Sequence, residues 1–566
     1  MREMKPSIRV AAILLLIAGC NMRREPRSAD QTTAPEQRDP KTTVTVTFTY
    51  GSEKEEWIKD VTQQFNSEGH KTADGRTIVV DALPMGSGEC IDEILTESRQ
   101  SDITSPASSA FIKLGNAESR AKTGKDLVAS TDNLVLSPVV IAMWKPMADA
   151  IGFGSKPVGW SDILALARDE RGWAAYGHPE WGPFRFGHTS PESSNSGLIS
   201  VIAEAYAATG KKKGLEVADV VDPKTIEFVS GIERSIVHYG SSTGFFGKKM
   251  FSNGPQYLSA AVMYENMVIE AHSPKYSTPF PVVAIYPKEG TFWSDHPVGI
   301  VERPWVTPEK REAAKQYIAY LLASPQQAKA LPYGFRPAST EVAIASPIDL
   351  EHGVNPNEPQ TTLEVPSAQV MHEIVSLWRQ NKKHANITLV FDTSGSMKEA
   401  NKMENARQAA LQLVDALGDA DEFSLLAFSE NATWAARTLT MNPDGRTAAK
   451  GKIAGLWPEA GTALYDAVNV AYDAHMQSKV KDAEKISAIV VLTDGADTDS
   501  SMSLDELLRN IRFDNERHTI RVFTIAYGSD AKKDVLQQIA DSTQAKFYEG
   551  NQQNIRQVLR DIATFF

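Results

Sequence analysis

The chain has 566 residues, 42% of them hydrophobic and 23% charged, an ordinary folded composition but too long for a single core. Its 59 basic and 71 acidic side chains leave a formal net charge of -12, which argues against a nucleic-acid partner. About two to four domains are expected from this length.

At the N-terminus, Arg2, Lys5 and Arg9 precede the apolar run VAAILLLIA, Val10 to Ala18. The run is too short to span a bilayer as a mature helix and has the form of an export signal. It ends in IAGC, which resembles a bacterial lipoprotein signal. The resemblance implies removal of residues 1–19, lipidation of Cys20, and membrane attachment through lipid alone. Asn21, in place of the aspartate that marks inner-membrane retention, implies the outer membrane in a diderm cell and otherwise the outer face of the cytoplasmic membrane. With Cys20 lipidated, Cys90 has no partner for an intrachain disulfide. Residues 20–42 are polar and proline-containing, and read as a flexible tether.

Residues 43–345 read as one α/β region. The alternating strand TVTVTFTY is followed by a helix with Trp57, Ile58, Val61 and Phe65 on one face, then by the strand TIVVDAL and the turn PMGSGEC. The stretch NLVLSPVVIAMWKP, Asn133 to Pro146, suits a strand that leaves one lobe and enters another. Later strands and the helix at Pro308 to Leu322 bring the chain back, an out-and-back layout that fits two lobes around a ligand cleft. GSG after an early strand, GHTSPESSNSG, VVAIYPKEG and YGFRP resemble bacterial extracellular solute-binding proteins of the two-lobed type that includes oxyanion binders.

Within this region GHTSPESSNSG is the densest set of small donors, ahead of the apolar helix LISVIAEAYA. Helix N-termini suit anions, although serine and asparagine there also serve as plain caps. With the MGSG and SPASSA loops it gives the candidate ligand residues Ser87, Gly88, Ser108, Ser190, Ser193, Ser194, Asn195 and Ser196. The aromatics Trp144, Trp160, Trp173, Tyr176, Trp181, Phe184 and Phe186 offer a rival platform for sugars or peptides, or simple core packing. Tyr264 and Glu265 are placed to face the cleft, where Glu265 suits a cation or an amine better than a bare anion.

Residues 346–385 begin as a proline-rich linker, or a loop draped over the first region, and end in an amphipathic helix with Val370, Ile374, Leu377 and Trp378. From 386 to 566 the strands NITLVFD, AIVVLTD and IRVFTIAYG are almost continuously apolar, as parallel strands covered on both faces are. This is a doubly wound α/β domain, Rossmann-like in form, whose ligands gather at the carboxyl ends of its strands. Asp392 closes one strand, Ser394 and Ser396 follow in a tight loop, Thr462 precedes a helix, and Asp494 closes another strand. Two carboxylates and three hydroxyls, with no histidine or cysteine, select Mg²⁺, Ca²⁺ or Mn²⁺.

These residues resemble the metal-ion-dependent adhesion site of von Willebrand factor A (VWA) domains: Asp-x-Ser-x-Ser at 392, 394 and 396, then Thr462 and Asp494. The resemblance implies near-direct ligation by the first four and a water-mediated role for Asp494, with an open position for a carboxylate of a protein partner. No general base stands beside these loops, so catalysis is not expected. Asp497 and Asp499 are either a second cation site or a solvated acidic loop. The leading expectation is a non-enzymatic envelope lipoprotein that captures a protein partner through the cation. The alternatives are a solute receptor of a transport system, possible for an oxyanion, with an accessory VWA domain, and a chelatase-like assembly factor.

Overall fold

The computed structural model describes residues 38–479, 485–512 and 520–566. Cys20, the export signal and most of the tether lie outside the described residues. In chain order the front strands are β1 (Thr43–Gly51), β2 (Thr77–Met85), β3 (Ile103–Ser105), β4 (Asp132–Asn133), β5 (Val135–Trp144), β6 (Phe186–Gly187), β7 (Ala260–Tyr264), β8 (Val282–Ile285), β9 (Trp293–Ser294), β10 (Pro297–Ile300) and β11 (Arg336–Pro337).

They make two sheets, ordered β2-β1-β3-β10-β4 and β11-β5-β7-β6, with β8 and β9 also paired to β5. The alternation read in β1 is real: Val44, Val46 and Phe48 are buried, while the threonines at 43, 45 and 47 are half-buried. Helix Glu55–Glu68 buries the expected face, Trp57, Ile58, Val61 and Phe65. The chain passes from the first lobe to the second between β4 and β5, and returns between β9 and β10. Leu134 N donates to His296 O at 3.1 Å, tying the two crossings together. Pro138 stays inside β5, opposite Trp293 of β9, close to where β5 goes on to pair with β7 from Val139.

The proline-rich stretch lies on the second lobe. Ala284 N donates to Gly353 O, and Leu363 N to Thr291 O, each at 2.8 Å. Helix Ala368–Asn381 then buries Val370, Met371, Ile374, Leu377 and Trp378, packing on helices Asn195–Thr209 and Pro223–Glu233 of the same lobe.

The rear sheet contains β12 (Ala385–Asp392), β13 (Glu422–Phe428), β14 (Ala432–Thr440), β15 (Ile486–Thr493), β16 (Ile520–Tyr527) and β17 (Phe547–Gly550), ordered β14-β13-β12-β15-β16-β17. All neighbours are parallel except β13 and β14. Every residue of β12, β15 and β16 is buried, which is why their sequences are apolar without alternation. The antiparallel edge strand β14 carries no such signal, because most of its residues are exposed or half-buried, and the sequence reading passed over it. The architecture is therefore mixed α/β, a two-lobed region followed by a separate, mostly parallel, Rossmann-like sheet.

The two parts share a joint. Tyr239 N donates to Phe565 O, Lys249 Nζ to Ala545 O, and the Arg521 guanidinium lies 4.7 Å from the Tyr257 ring centre. Gln557 Nε2 reaches Glu89 Oε1 of the first lobe at 2.8 Å.

Candidate functional sites

Loops from both lobes meet in one buried polar seam, and it contains the eight candidate ligand residues. Ser108 Oγ donates to Asn195 Oδ1 at 2.7 Å across the lobes, and Gly88 N donates to Ser193 O at 2.9 Å. Asn195 Nδ2 reaches Tyr264 Oη and Ser294 Oγ at 3.1 and 3.3 Å. Ser194 and Ser196 bond with Thr243, Ser193 donates to Ser241 O, Ser87 Oγ accepts from Ala107 N, and Ser190 Oγ from Glu192 N. The structure brings these groups together and closes them on one another, with no ring of free donors among them. Two hydroxyls at the carboxyl ends of β1 and β3, Ser52 Oγ and Ser105 Oγ, are buried without a hydrogen-bonding partner among the described residues.

Beside the seam sits a buried charge cluster. Lys54 Nζ lies 2.6 Å from Glu53 Oε1 and 3.1 Å from His296 Nδ1. Burial works against the Glu53 charge, but Lys54 and His296 overcome it and hold the carboxyl at about 2. Burial and Lys54 push His296 down to about 4. Outward from Glu53 the lobes part into a cleft of about 400 Å³, lined by Glu53, Glu56 and Trp57 from one side and Asn266, Glu270 and His272 from the other. Tyr264 does not line this cleft: it is fully buried in the seam, accepting from Asn195 Nδ2 at 3.1 Å. Glu265 does not face a ligand: Arg336 grips it in a fork at 2.8 and 2.6 Å, and Tyr286 donates to it. Most of the aromatic cluster is core, with Trp144, Trp160, Trp173 and Phe186 at most 2% exposed, while Trp181 is half-buried and Tyr176 exposed.

At the carboxyl ends of the rear strands, four of the five expected metal residues form one hydrogen-bonded chain. Ser394 N donates to Asp392 Oδ1 at 2.7 Å, Ser394 Oγ lies 3.0 Å from Ser396 Oγ, and Ser396 Oγ donates to Asp494 Oδ1 at 2.6 Å. Thr462 stands beside them, its Oγ1 3.8 Å from where a Cβ on Gly495 would lie. Asp392 and Asp494 are fully buried. Burial pushes the Asp392 carboxyl up to about 6; Asp494 adds to this, while bonds from Ser394 and Thr493 oppose it. The sequence missed Lys402, whose Nζ lies 2.7 Å from Asp494 Oδ2. Burial opposes the Lys402 charge, yet Asp494 holds the ammonium above its ordinary range. The oxygen set fits a hard divalent cation, with this ammonium as the local positive charge beside it. Asp497 and Asp499 serve their own loop: Asp499 accepts from Thr462 N at 2.7 Å, and Asp497 from Tyr465 N and Ser500.

A third cluster went unread in the sequence. His188, Glu204 and Glu233, all 0% exposed, bring one ligand atom each to within 4.8 Å of one another inside the second lobe, a group able to coordinate a metal ion.

Comparison with known proteins matches the two parts separately. Residues 386–562 match the von Willebrand factor type A domain model, and residues 84–350 match that of bacterial extracellular solute-binding proteins. Inter-alpha-trypsin inhibitor heavy chain H4 of Bos taurus is 28% identical over 160 residues, 27% of this chain and 17% of the bovine one. Synechocystis protein sll0103 is 30% identical over 163 residues, 28% of this chain and 36% of that protein. The chain thus spans well under half of either relative. A solved periplasmic thiamin binding protein aligns at 13% identity and a TM-score of 0.43, covering 60% of this chain and 96% of its own. The chain combines a solute-binding-protein-like region with a VWA domain, neither of a catalytic kind.

Proposed function

We propose that this chain is a non-enzymatic envelope receptor, exported and anchored through lipidated Cys20, that takes a small solute between its front lobes. The observation that carries the reading is the cleft of about 400 Å³ between the lobes, outward from Glu53, a size and interlobe position suited to a small-molecule site. The match of residues 84–350 to solute-binding proteins supports it. The lining favours a solute with a positive or hydroxyl-rich group: Glu56 faces the cleft, whereas Glu270 is paired with Lys275 at 2.8 Å and the Lys54 charge is matched by Glu53. A bare oxyanion, which the loops alone suggested, meets carboxylates at this entrance. Thermal-shift screening of the full chain with small organic cations and with sulfate, phosphate and molybdate tests this. Stabilisation by a cation or polyol, lost in Glu56→Gln, is expected; stabilisation by oxyanions alone would overturn the solute class.

A second reading concerns the VWA domain and rests on the convergence of Asp392, Ser394, Ser396 and Asp494, with Thr462 beside them. These residues would hold Mg²⁺, Ca²⁺ or Mn²⁺ at the strand ends, and the ion would supply a coordination position for a carboxylate of a protein partner. The match of residues 386–562 supports this reading. Partner recovery from the envelope should require Mg²⁺ and vanish in Asp392→Ala, with solute binding intact; recovery unchanged by chelator would sink it.

A further inference from the structure

The cluster of His188, Glu204 and Glu233 has the surroundings of a metal site. His188 follows β6, Glu204 lies inside helix Asn195–Thr209, and Glu233 ends helix Pro223–Glu233. His188 Nδ1 lies 2.7 Å from Thr189 O. A carbonyl only accepts, so Nδ1 carries the proton and Nε2 presents its lone pair inward. That lone pair faces Glu233 Oε1 at 3.0 Å, an arrangement of two acceptors that needs a cation or a proton between them.

Each carboxylate is held by its other oxygen. Tyr239 Oη donates to Glu233 Oε2 at 2.5 Å, and Ser200 Oγ donates to Glu204 Oε1 at 3.0 Å. The remaining oxygen of Glu204, Oε2, is buried without a hydrogen-bonding partner among the described residues. Three ligand atoms thus turn inward, while the second atom of each side chain is fixed by a carbonyl, a phenol or a hydroxyl, as outer partners orient metal ligands.

We propose that His188 Nε2, Glu204 Oε2 and Glu233 Oε1 bind a first-row transition ion, Zn²⁺ the foremost, as an internal structural site of the second lobe. One imidazole and two carboxylates suit such an ion, and its two positive charges match the two carboxylates. Tetrahedral bonds of about 2.1 Å place ligands ~3.4 Å apart, so the His188–Glu233 pair at 3.0 Å opens slightly while Glu204, within 4.8 Å of both, moves in. The ion would also stiffen the joint between the parts, because Tyr239 N donates to Phe565 O and Tyr239 Oη accepts from Lys383 N. Without an ion, burial and the Glu233 charge hold the Glu204 carboxyl well above the usual carboxylate range, and a proton takes its place.

The test is metal content by inductively coupled plasma mass spectrometry. Wild type, Asp392→Ala and Glu204→Gln chains are refolded with ZnCl₂ and desalted. Glu204→Gln keeps the side-chain volume and removes a buried acid, and circular dichroism checks its fold. One zinc per chain is expected in wild type and Asp392→Ala, with a loss of roughly tenfold or more in Glu204→Gln. Equal zinc in wild type and Glu204→Gln, or zinc lost in Asp392→Ala instead, would overturn the assignment. A measurement independent of any variant is the visible spectrum after Co²⁺ loading: intense bands of a low-coordinate ion are expected, and the weak spectrum of hydrated cobalt would contradict the site.

Discussion

Gly88 sits where backbone of the two lobes meets at close range. A Cβ built there would lie 2.2 Å from Glu192 O and 2.9 Å from Ser193 Cα, across the lobes. Ordinary contacts between carbon atoms begin near ~3.5 Å, so Gly88→Ala demands about 1 Å of separation. Backbone on both sides cannot swing aside as a flexible side chain would. If the lobes stay closed, overpacking costs roughly 1–3 kcal/mol, and losing the Gly88 N to Ser193 O bond costs about 1 kcal/mol more. If they part, the Ser108 to Asn195 bond at 2.7 Å breaks as well. Either way a loss of about 2–4 kcal/mol is expected in urea unfolding, and parting lobes also raise the small-angle scattering radius of gyration. The control is Gly451→Ala, in helix Pro443–Ala454, where a Cβ meets nothing within 4 Å; it should stabilise by roughly 0.5–1 kcal/mol. If Gly88→Ala proved as stable and compact as the control, the closed seam would not describe the protein in solution.

Other outcomes follow from charge. Lys402→Met removes the ammonium on Asp494 and should tighten Mg²⁺ binding roughly tenfold, measured by calorimetry. Asp392 must lose its proton to bind a cation, so Mg²⁺ affinity should be full above about pH 6 and fall about tenfold per unit below it. Glu89 of the first lobe and Asp561 of the rear helix share Gln557 between them. Burial raises both carboxyls above their ordinary range, and the Asp561 charge raises Glu89 further. At these two sites the folded chain binds more protons than the unfolded one, and the stability they contribute is lost as pH rises above about 4. Glu89→Gln should flatten that slope and raise the urea midpoint at about pH 8, leaving it little changed at about pH 4.

What could be read from the sequence follows from what repeats locally. β12, β15 and β16 announced themselves because burial on both faces leaves no polar position, and Asp392-x-Ser394-x-Ser396 because one short stretch carries three oxygen side chains in alternation. Lys402 was missed because its helix begins beyond that loop and only folding turns its ammonium onto Asp494. The seam residues could be grouped from their loops, but their state could not: whether hydroxyls bond to a solute or to each other depends on how far the lobes close. His188, Glu204 and Glu233 have no motif spacing, since β6 and two helices deliver them separately. A signal did exist in Glu204, an acid inside a helix whose residues from Asn195 to Tyr206 are all buried. Such a position requires a proton, a partner or an ion.

The receptor reading is tested most directly by native mass spectrometry of the full chain, purified from its own envelope without dialysis. It predicts one small organic molecule bound per chain, present in wild type and depleted in Glu56→Gln. A chain that carries no such molecule, and that no organic cation, polyol or oxyanion stabilises, would contradict it.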